Sequence, residues 1–403
     1  MMNPMVWQLN RLKDLHPTPE VQAFHPGVVQ PVQEYHATLP GYRFTPLHPL
    51  STLARHWNLG GLFIKDESSR FGLNAFKSLG GTYAVAKYLS RTLDHGQPLT
   101  THTLTSPGTR QRSLTFATAT DGNHGVGIAW AAHQFGHQSI VFMPRGTAAA
   151  RVQSVRAAGG QAEVTAFNYD DTVAWVAAEA AERGWVLVQD TSWPGYQEIP
   201  LWIMQGYTTL IYEALQQLQD FGVKRPTHVF LQAGVGSFAA AVTGFLANVF
   251  ASAIPLIIVV EPTQTASLLR SATVGDGQLH SLEGPMQTVM AGLACGAPNP
   301  LAWDILQHWV GMFLSCPDEM AARGTRILAN PLAGDPAVIS GESGSVTLGV
   351  LSHIMASPLA QTLRQSLDLN EQSQVLLVST EGMTDPVLYR RLVWDGLFPY
   401  DAS

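Results

Sequence analysis

Seven short runs rich in β-branched and other apolar residues recur along the chain, separated by amphipathic stretches and turn residues. The runs are LTFATAT (114–120), SIVFM (139–143), AEVTAF (162–167), WVLVQD (185–190), THVFLQA (227–233), PLIIVVE (255–261) and QVLLVST (374–380). Strands that are apolar almost throughout are typical of parallel sheets covered on both faces. Because these strands alternate with helical patterns, the sequence predicts an α/β protein with right-handed crossovers.

The 403 residues are enough for about two domains. We expect two open, twisted, mostly parallel sheets flanked by helices: a smaller sheet from the strands at about 114–167 and a larger one from those at about 186 onward. The predicted domains are a smaller α/β domain at 76–189 and a larger one made of 1–75 plus 190–403. The eight prolines among the first fifty residues predict an irregular arm around the body. A ligand is expected in the cleft at the carboxyl ends of the strands.

Composition excludes several classes of function. Charged residues make up 13% of the chain and the net charge is −7, so no extended basic surface for a nucleic acid is expected. The opening MMNPMVWQLNRLKDLHP lacks a secretory pattern, and no apolar run approaches ~18 residues, so we expect a soluble, cytoplasmic protein without a membrane partner. Cys295 and Cys316 form no CxxC pair, and the histidines show no metal-ligand spacing, so neither a disulfide nor a metal site is predicted.

One lysine stands in a setting suited to covalent chemistry. In KDESSRFGLNAFKSLGGTYAV, a polar turn with Gly72 and Asn74 precedes a helical pattern whose first turn contains Lys77. The positive end of the helix dipole and burial in a cleft both lower the pKa of a lysine, which favours the neutral, nucleophilic amine. Taken without its neighbours, Lys77 is better explained as a solvated surface lysine, and only the neighbouring motifs reverse that interpretation.

Two glycine-containing loops each follow a strand and open a helix. In ATDGNHGVGIAW, the amides of Gly122 and Asn123 would point into the cleft, where they suit a carboxylate. In QAGVGSFAAAV, Gly234 and Gly236 allow close approach of the backbone and Ser237 adds a hydroxyl, which together suit a phosphate. A dinucleotide-binding loop or a turn without function would share the GxG spacing, although this loop lies deep in the chain.

The segments NAFKSLGG, TDGNHG, GVGS and STEG, in this order and spacing, resemble the fold-type II enzymes that depend on pyridoxal 5'-phosphate (PLP). This is the tryptophan-synthase β-like family, which includes the threonine and serine dehydratases. More narrowly, FGLNAFKSLGGTYA, QDTSWPGY, MAGLACGAPNP and SGESG resemble the diaminopropionate ammonia-lyases, and the likeness runs from about residue 40 to 395. The resemblance implies PLP in a cleft between a large and a small domain, and a homodimer.

The resemblance also implies roles for individual residues. Lys77 would hold PLP as a Schiff base and then act as general base and acid. Asn123 would hydrogen-bond the phenolic oxygen of the cofactor, and the hydroxyl of Thr380 would face its pyridine nitrogen. The residues implied for the phosphate are Gly234, Val235, Gly236 and Ser237. Those implied for the substrate are Thr120, Asp121, Gly122, His124, Asp190 and Glu342.

Two of these positions have a distinctive chemistry. Since the hydroxyl of Thr380 is neutral, it does not hold the ring nitrogen protonated, and the resulting weaker electron sink favours rapid β-elimination. Asp121 stands where ordinary dehydratases carry a small neutral residue. The resemblance implies that Asp121 holds the β-ammonium group of the substrate or accepts its α-proton on the face opposite Lys77.

Other assignments leave alternatives open. Asp190 is implied to present a carboxylate to the cleft, but it also suits the N-cap of the turn at DTSW. Glu342 is implied to reach the cofactor, while a helix cap from Ser340 or Glu342 is the alternative. The STEG segment departs from the family pattern, because Met383 stands where an acidic residue is expected.

The function predicted in this way is PLP-dependent α,β-elimination of D- or L-2,3-diaminopropionate to pyruvate and two ammonia. A serine or threonine dehydratase and a β-replacement synthase of the same fold are the alternative enzymes, and the carboxylate of Asp121 argues against both because a hydroxyl leaving group does not need it. A non-catalytic amino-acid-binding or PLP-carrying module and a dinucleotide-dependent oxidoreductase are alternatives from other classes.

Overall fold

The computed structural model describes residues 5–91, 98–106, 113–120, 122–284 and 286–400. In chain order the strands are β1 Val6–Leu9, β2 Leu47–Pro49, β3 Gly61–Asp66, β4 Thr115–Ala119, β5 Gln138–Met143, β6 Gln161–Val164, β7 Val186–Leu187, β8 His228–Gln232, β9 Leu256–Pro262, β10 Met312–Cys316 and β11 Gln374–Ser379. They form a seven-stranded sheet, in the order β1-β10-β9-β8-β11-β3-β2, and a four-stranded sheet, in the order β6-β5-β4-β7. Among the strands of these ranges, only the edge strands β1 and β2 pair antiparallel, so the predicted α/β class with two mostly parallel sheets is confirmed.

Sixteen α-helices surround the two sheets in the described part of the chain. They are α1 Pro19–Gln22, α2 Pro26–Ala37, α3 Ser51–His56, α4 Lys77–Ser90, α5 Thr101–Leu104, α6 Asn123–Gln134, α7 Ala149–Ala157, α8 Tyr169–Arg183, α9 Glu198–Asp220, α10 Ser237–Phe250, α11 Ser267–Val274, α12 Pro300–Trp309, α13 Asp318–Ala329, α14 Glu342–Ala356, α15 Gln361–Ser366 and α16 Pro386–Val393.

The larger sheet is buried on both faces, as its apolar strands predict. Val229, Val259 and Leu376 pack on one face against α2, α4, α9, α10 and α12. Phe230 and Ile258 alternate with them and pack on the other face against α3, α13, α14 and α15. Alternating residues of one strand therefore enter two separate cores, which explains why the sequence of each strand is continuously apolar.

Two predictions about the arrangement are wrong. β7 was expected to open the larger sheet, but it pairs with β4 of the smaller one, at Phe116↔Val186 and Ala117↔Leu187. The reason is that α8 packs on β4 and ends at Gly184, so the chain returns beside β4 by a short connection. The first fifty residues are not an irregular arm either, because they contain the strand β1 and the helices α1 and α2. Pro19 and Pro26 are the first residues of these helices, where the missing N–H of proline costs no hydrogen bond.

Close helix packing places α4 beside the cleft. A Cβ atom on Gly80 would lie 2.8 Å from the carbonyl oxygen of Ile203 in α9, and one on Gly127 in α6 would lie 2.8 Å from Cα of Ser78. The glycines therefore let α4 lie against the backbones of α6 and α9 on two sides.

No single helix in the described ranges is both long and apolar enough to cross a bilayer. The pair 342–356 and 358–366 meets the length and composition criterion jointly, but it is bent by 94°.

Candidate active site

One cleft lies at the carboxyl ends of β4, β8 and β11, so residues of both sheets line it. It holds about 690 Å³ of space, part of which is open to solvent. Its lining includes Lys77, Thr120, Asn123, Asp190, Gly234, Val235, Gly236, Ser237 and Thr380. The structure thus gathers, in one place, residues that lie up to about three hundred positions apart in the sequence.

Lys77 is the first residue of α4, where the sequence placed it. The segment ahead of it is fixed to the end of β11: Phe76 N donates to Thr380 O at 3.1 Å, and Gly382 N donates to Asn74 O at 2.9 Å. Asn74 has a φ of 64°, in the left-handed region, so the chain turns sharply before the helix begins. These contacts set the distance between the lysine and the loop after β11.

Asp190 contacts the lysine directly. Nζ of Lys77 donates to Oδ2 of Asp190 at 2.5 Å, and Asp190 is only 3% exposed. Burial by itself raises the pKa of Asp190, but the charges of Lys77 and His124 and the hydrogen bond from Lys77 outweigh it and hold that pKa at about 2. Asp190 therefore presents an ionised carboxylate to the cleft, and no helix begins directly after it, so the N-cap alternative is wrong.

The loop after β4 carries Thr120, Gly122 and Asn123. Gly122 N donates to Oγ1 of Thr120 at 3.0 Å, and Asn123 then begins α6. Nδ2 of Asn123 donates to Oε2 of Glu381 at 2.6 Å, a contact that sequence analysis missed. Asp121 lies outside the described residues.

His124 and Glu342 lie outside the lining of this cleft, and Gly122 lines a neighbouring one. His124 is buried, with Nε2 at 2.8 Å from Val188 O. Glu342 accepts from Nη2 of Arg151 at 2.9 Å. Neither Ser340 nor Glu342 caps α14, because its N-cap Gly341 has no side-chain hydrogen bond, so the capping alternative is wrong.

The pKa of Glu342 is raised to about 8, mainly by burial and by the nearby charge of Glu381, although the charge of Arg151 lowers it. Arg151 lies in α7, beside the smaller sheet, and Glu342 begins α14, beside the larger one. The aliphatic stem of Arg151 also packs on Gly122, since a Cβ on that glycine would lie 3.4 Å from Cβ of Arg151. This buried contact therefore joins the loop after β4 to the start of α14.

The loop 234–237 leads from β8 into α10. Gly236 has a φ of 93°, which favours glycine, and it is the N-cap of α10. Within the described residues, the backbone amides of 234–237 have no hydrogen-bond acceptor. The hydroxyl of Ser237 is already used, since it donates to Asp190 O at 2.7 Å and accepts from Nδ2 of Asn299 at 2.8 Å. The backbone amides are therefore what this loop offers to an anion.

Thr380 follows β11 and is 5% exposed. Its Oγ1 accepts from Nε2 of Gln232 at 2.9 Å. Gln232, Glu381 and Arg151 were not identified from the sequence. Gln232 stands directly before AGVGS and Glu381 lies within STEG, so their proximity to these motifs could have indicated a role in the site. No feature of the sequence indicated such a role for Arg151.

The chain matches the model of the family described as pyridoxal-phosphate dependent enzyme over residues 38–381. It is 48% identical to a diaminopropionate ammonia-lyase of Salmonella typhimurium over 91% of each chain, and 47% identical to one of Escherichia coli K12 over 90% of each. Its structure is similar to that of the E. coli diaminopropionate ammonia-lyase in complex with D-serine, with a TM-score of 0.92, 42% identity and 98% of each chain covered. A threonine deaminase from Solanum lycopersicum, at 17% identity and a TM-score of 0.71, shares the fold.

The cleft fits the cofactor of this family on its own geometry. Lys77 supplies a primary amine for covalent attachment, and the 234–237 amides lack any other acceptor in the part of the chain that is described. Any side chain at Gly234 would crowd Cα of Leu293 at 3.1 Å, so the loop is kept open at the position where a phosphate would lie. The chain belongs to the family of pyridoxal-phosphate-dependent enzymes, among the diaminopropionate ammonia-lyases.

Proposed function

We propose that this chain eliminates ammonia from D- or L-2,3-diaminopropionate. One molecule of the substrate and one of water give pyruvate and two ammonia: the β-amino group leaves first, and the remaining unsaturated amine is hydrolysed. The names of the relatives that are 47–48% identical support this reaction. So does the likeness to the E. coli enzyme, which is known in complex with D-serine and with an aminoacrylate-PLP azomethine.

The observation that carries the proposal is the ionised carboxylate of Asp190 in the cleft. It holds the cationic amine of Lys77 at 2.5 Å, and its pKa of about 2 keeps it charged through the neutral range. A substrate ammonium group at the same place would meet the same buried charge, and charge-assisted hydrogen bonds of this kind are strong. Diaminopropionate has a second amino group that serine lacks, which gives this charge a role in selecting the substrate.

PLP, when bound, supplies an electron sink for the charge that develops at the α-carbon of the substrate. Lys77 would hold the cofactor, the amides of 234–237 its phosphate, and Asn123 and Thr380 its ring. Oδ2 of Asp190 lies 2.5 Å from Nζ of Lys77, so the negative charge of Asp190 would stabilise the ammonium form that Lys77 takes when it accepts a proton. We propose that Lys77, paired with Asp190, takes the α-proton of the L-isomer.

Asp121 is proposed to take the α-proton of the D-isomer from the opposite face. The test is pyruvate formation from each enantiomer by Asp121→Asn. General bases contribute about 10²–10⁴-fold to rate, so a loss of that size is expected on the D-isomer and a much smaller one on the L-isomer. Equal losses on the two isomers would refute the division of labour.

The reaction itself is tested by assaying purified enzyme on both diaminopropionate isomers beside D- and L-serine and L-threonine. Both diaminopropionate isomers are expected to react faster than the hydroxy amino acids. If serine or threonine is deaminated faster, the chain is a dehydratase and the proposal fails. Lys77→Ala is the matched control, since it should lose both the yellow colour of the bound cofactor and the release of pyruvate.

We also propose a cytoplasmic homodimer, with the chain divided into the domains 76–189 and 1–75 plus 190–403. The two separate sheets support the division. Val387 and Trp394 are 71% and 82% exposed and lie seven residues apart at α16, so they offer an apolar surface to a second copy. Light scattering on the purified enzyme is expected to give twice the 43.6 kDa of one chain.

A further inference from the structure

Gln232, the last residue of β8, is held in one orientation by backbone carbonyls. Its Nε2 lies 3.0 Å from Val378 O and 3.1 Å from Ser343 O, and the residue is 2% exposed. Carbonyl oxygens only accept hydrogen bonds, so the NH₂ end of the amide has to face them. A flipped amide would set Oε1 against two carbonyl oxygens in a buried place, which is costly.

This orientation fixes what the hydroxyl of Thr380 does. Nε2 of Gln232 also lies 2.9 Å from Oγ1 of Thr380, so its two hydrogens are shared among three acceptors. An amide nitrogen does not accept hydrogen bonds, so the hydrogen of the Thr380 hydroxyl has to point away from Gln232. Across the described ranges, the Thr380 hydroxyl donates no hydrogen bond. Since Thr380 lines the cleft, its hydrogen is available to a group bound there.

We infer that Gln232 is a positioning residue that makes the Thr380 hydroxyl a hydrogen-bond donor to the ring nitrogen of the bound pyridoxal phosphate, and so keeps that nitrogen unprotonated. This rests on the proposed function only in placing the ring nitrogen at Thr380. A protonated nitrogen would need Thr380 as its acceptor, and the hydroxyl hydrogen would then be left buried without a partner, which is unfavourable.

The consequence for the reaction follows from the charge on the ring. An unprotonated ring withdraws electrons from the α-carbon less strongly, so charge there is short-lived and loss of the β-amino group competes well with transamination. Gln232 would thus influence which product forms, although it is one residue removed from the ring.

The test is the ¹⁵N resonance of holoenzyme reconstituted with PLP labelled at the ring nitrogen, recorded between pH 6 and 9 without substrate. Wild type is expected to show an unprotonated, hydrogen-bonded nitrogen across this range. A protonated nitrogen in wild type at neutral pH overturns the inference, whatever the variants do. Since no substrate is present, this outcome is independent of which amino acid the enzyme converts.

The variant Gln232→Met keeps the length of the side chain and removes the donor. The hydrogen of the Thr380 hydroxyl can then turn towards the place that the amide nitrogen occupied, so that its oxygen can accept from a protonated ring. The pH at which the nitrogen takes up a proton is expected to rise by about one unit, a tenfold change in the equilibrium that corresponds to one hydrogen bond. The share of turnovers that end in transamination is expected to rise with it.

A double-mutant comparison separates positioning from a general effect on structure. In the background of Thr380→Val, Gln232→Met should move the ¹⁵N resonance no further, because its effect passes through the hydroxyl. Gln217→Met is the matched control: this glutamine is bonded to Thr45 and Lys65 away from the cleft, and its loss should leave the ¹⁵N resonance unchanged. Additive shifts in the double variant, or an equal shift in the control, would contradict the role of Gln232.

Discussion

The position of Lys77 depends on a glycine of another helix, which makes Gly127→Ala an informative perturbation. A Cβ atom at Gly127 would lie 2.8 Å from Cα of Ser78, 3.1 Å from its amide nitrogen and 3.2 Å from the carbonyl oxygen of Lys77. All three atoms belong to the backbone at the start of α4, so no rotation of a side chain relieves the contact. The two helices have to separate at the start of α4, where the lysine enters the cleft.

The size of the effect follows from these distances. Ordinary contacts of a Cβ begin at 3.4 Å, so α4 has to move by about 0.6 Å, the difference between 3.4 and 2.8 Å. Overpacking costs about 1–3 kcal/mol, and the better helix propensity of alanine returns about 1 kcal/mol, so the free energy of unfolding should fall by about 0–2 kcal/mol. A misplacement of ~1 Å costs about a hundredfold in rate, so a loss of about tenfold or more in kcat is expected.

The assay is pyruvate formation per bound cofactor, with cofactor occupancy read from its visible absorption. Gly244→Ala is the control, because its Cβ would meet Cδ2 of Phe24 at 2.8 Å, a comparable clash in α10 against a side chain. Both variants should lose stability, but Gly127→Ala alone should lose turnover at equal occupancy. Wild-type turnover in Gly127→Ala, or an equal loss in Gly244→Ala, would refute the reasoning.

Two other predictions concern buried carboxylates. Because burial and the charge of Glu381 raise the pKa of Glu342 from 4.5 to about 8, its contribution to stability is full below about pH 4.5 and is lost as pH rises towards 8. In Glu342→Gln, the free energy of unfolding measured with urea should therefore vary less with pH between 4.5 and 8. The same pH dependence in this variant as in the wild type would contradict the prediction. Glu381→Gln should weaken the hydrogen bond that holds Asn123 and so lower the affinity for the cofactor about tenfold. In the Asn123→Ala background the same substitution should lower the affinity little further. The affinity of each variant is measured by titrating it with PLP and following the absorbance.

Part of the fold could be predicted, from strands whose sequences are apolar over their whole length. β9 and β11 read as unbroken apolar runs because alternate residues enter two cores. The edge strands β1 and β2 were missed, since they are three or four residues long and partly exposed, and their residues carry no such pattern. β3 and β10 were missed as well, although both are buried throughout, because the apolar run of β3 stops at Lys65 and that of β10 at Ser315. β7 has two residues, so its sequence carries no information about which sheet it joins.

The site residues that could be predicted are those with local features in the sequence, and the others depend on contacts between distant residues. Lys77 and the loop 234–237 could be found because a helix start and its free amides are local features of consecutive residues. Gln232 and Glu381 were missed because their roles depend on contacts across 148 and 258 positions, with Thr380 and Asn123. A single sequence contains no signal for pairs at that separation, and a buried glutamine at a strand end resembles any other.

NAFKSLGG is a motif that indicates chemistry, but its glycines are required for helix packing. Gly80 contacts α9, because a Cβ added to Gly80 would lie 2.8 Å from the carbonyl oxygen of Ile203. In the same way, a Cβ added to Gly206 of α9 would lie 2.5 Å from the carbonyl oxygen of Leu79. Helices α6 and α9 therefore hold the start of α4 between two backbones. Because α4 cannot shift towards either helix, the backbone of Lys77 is fixed and its amine reaches Asp190 from a constant position. The chemistry at the lysine therefore depends on glycines that lie outside the cleft.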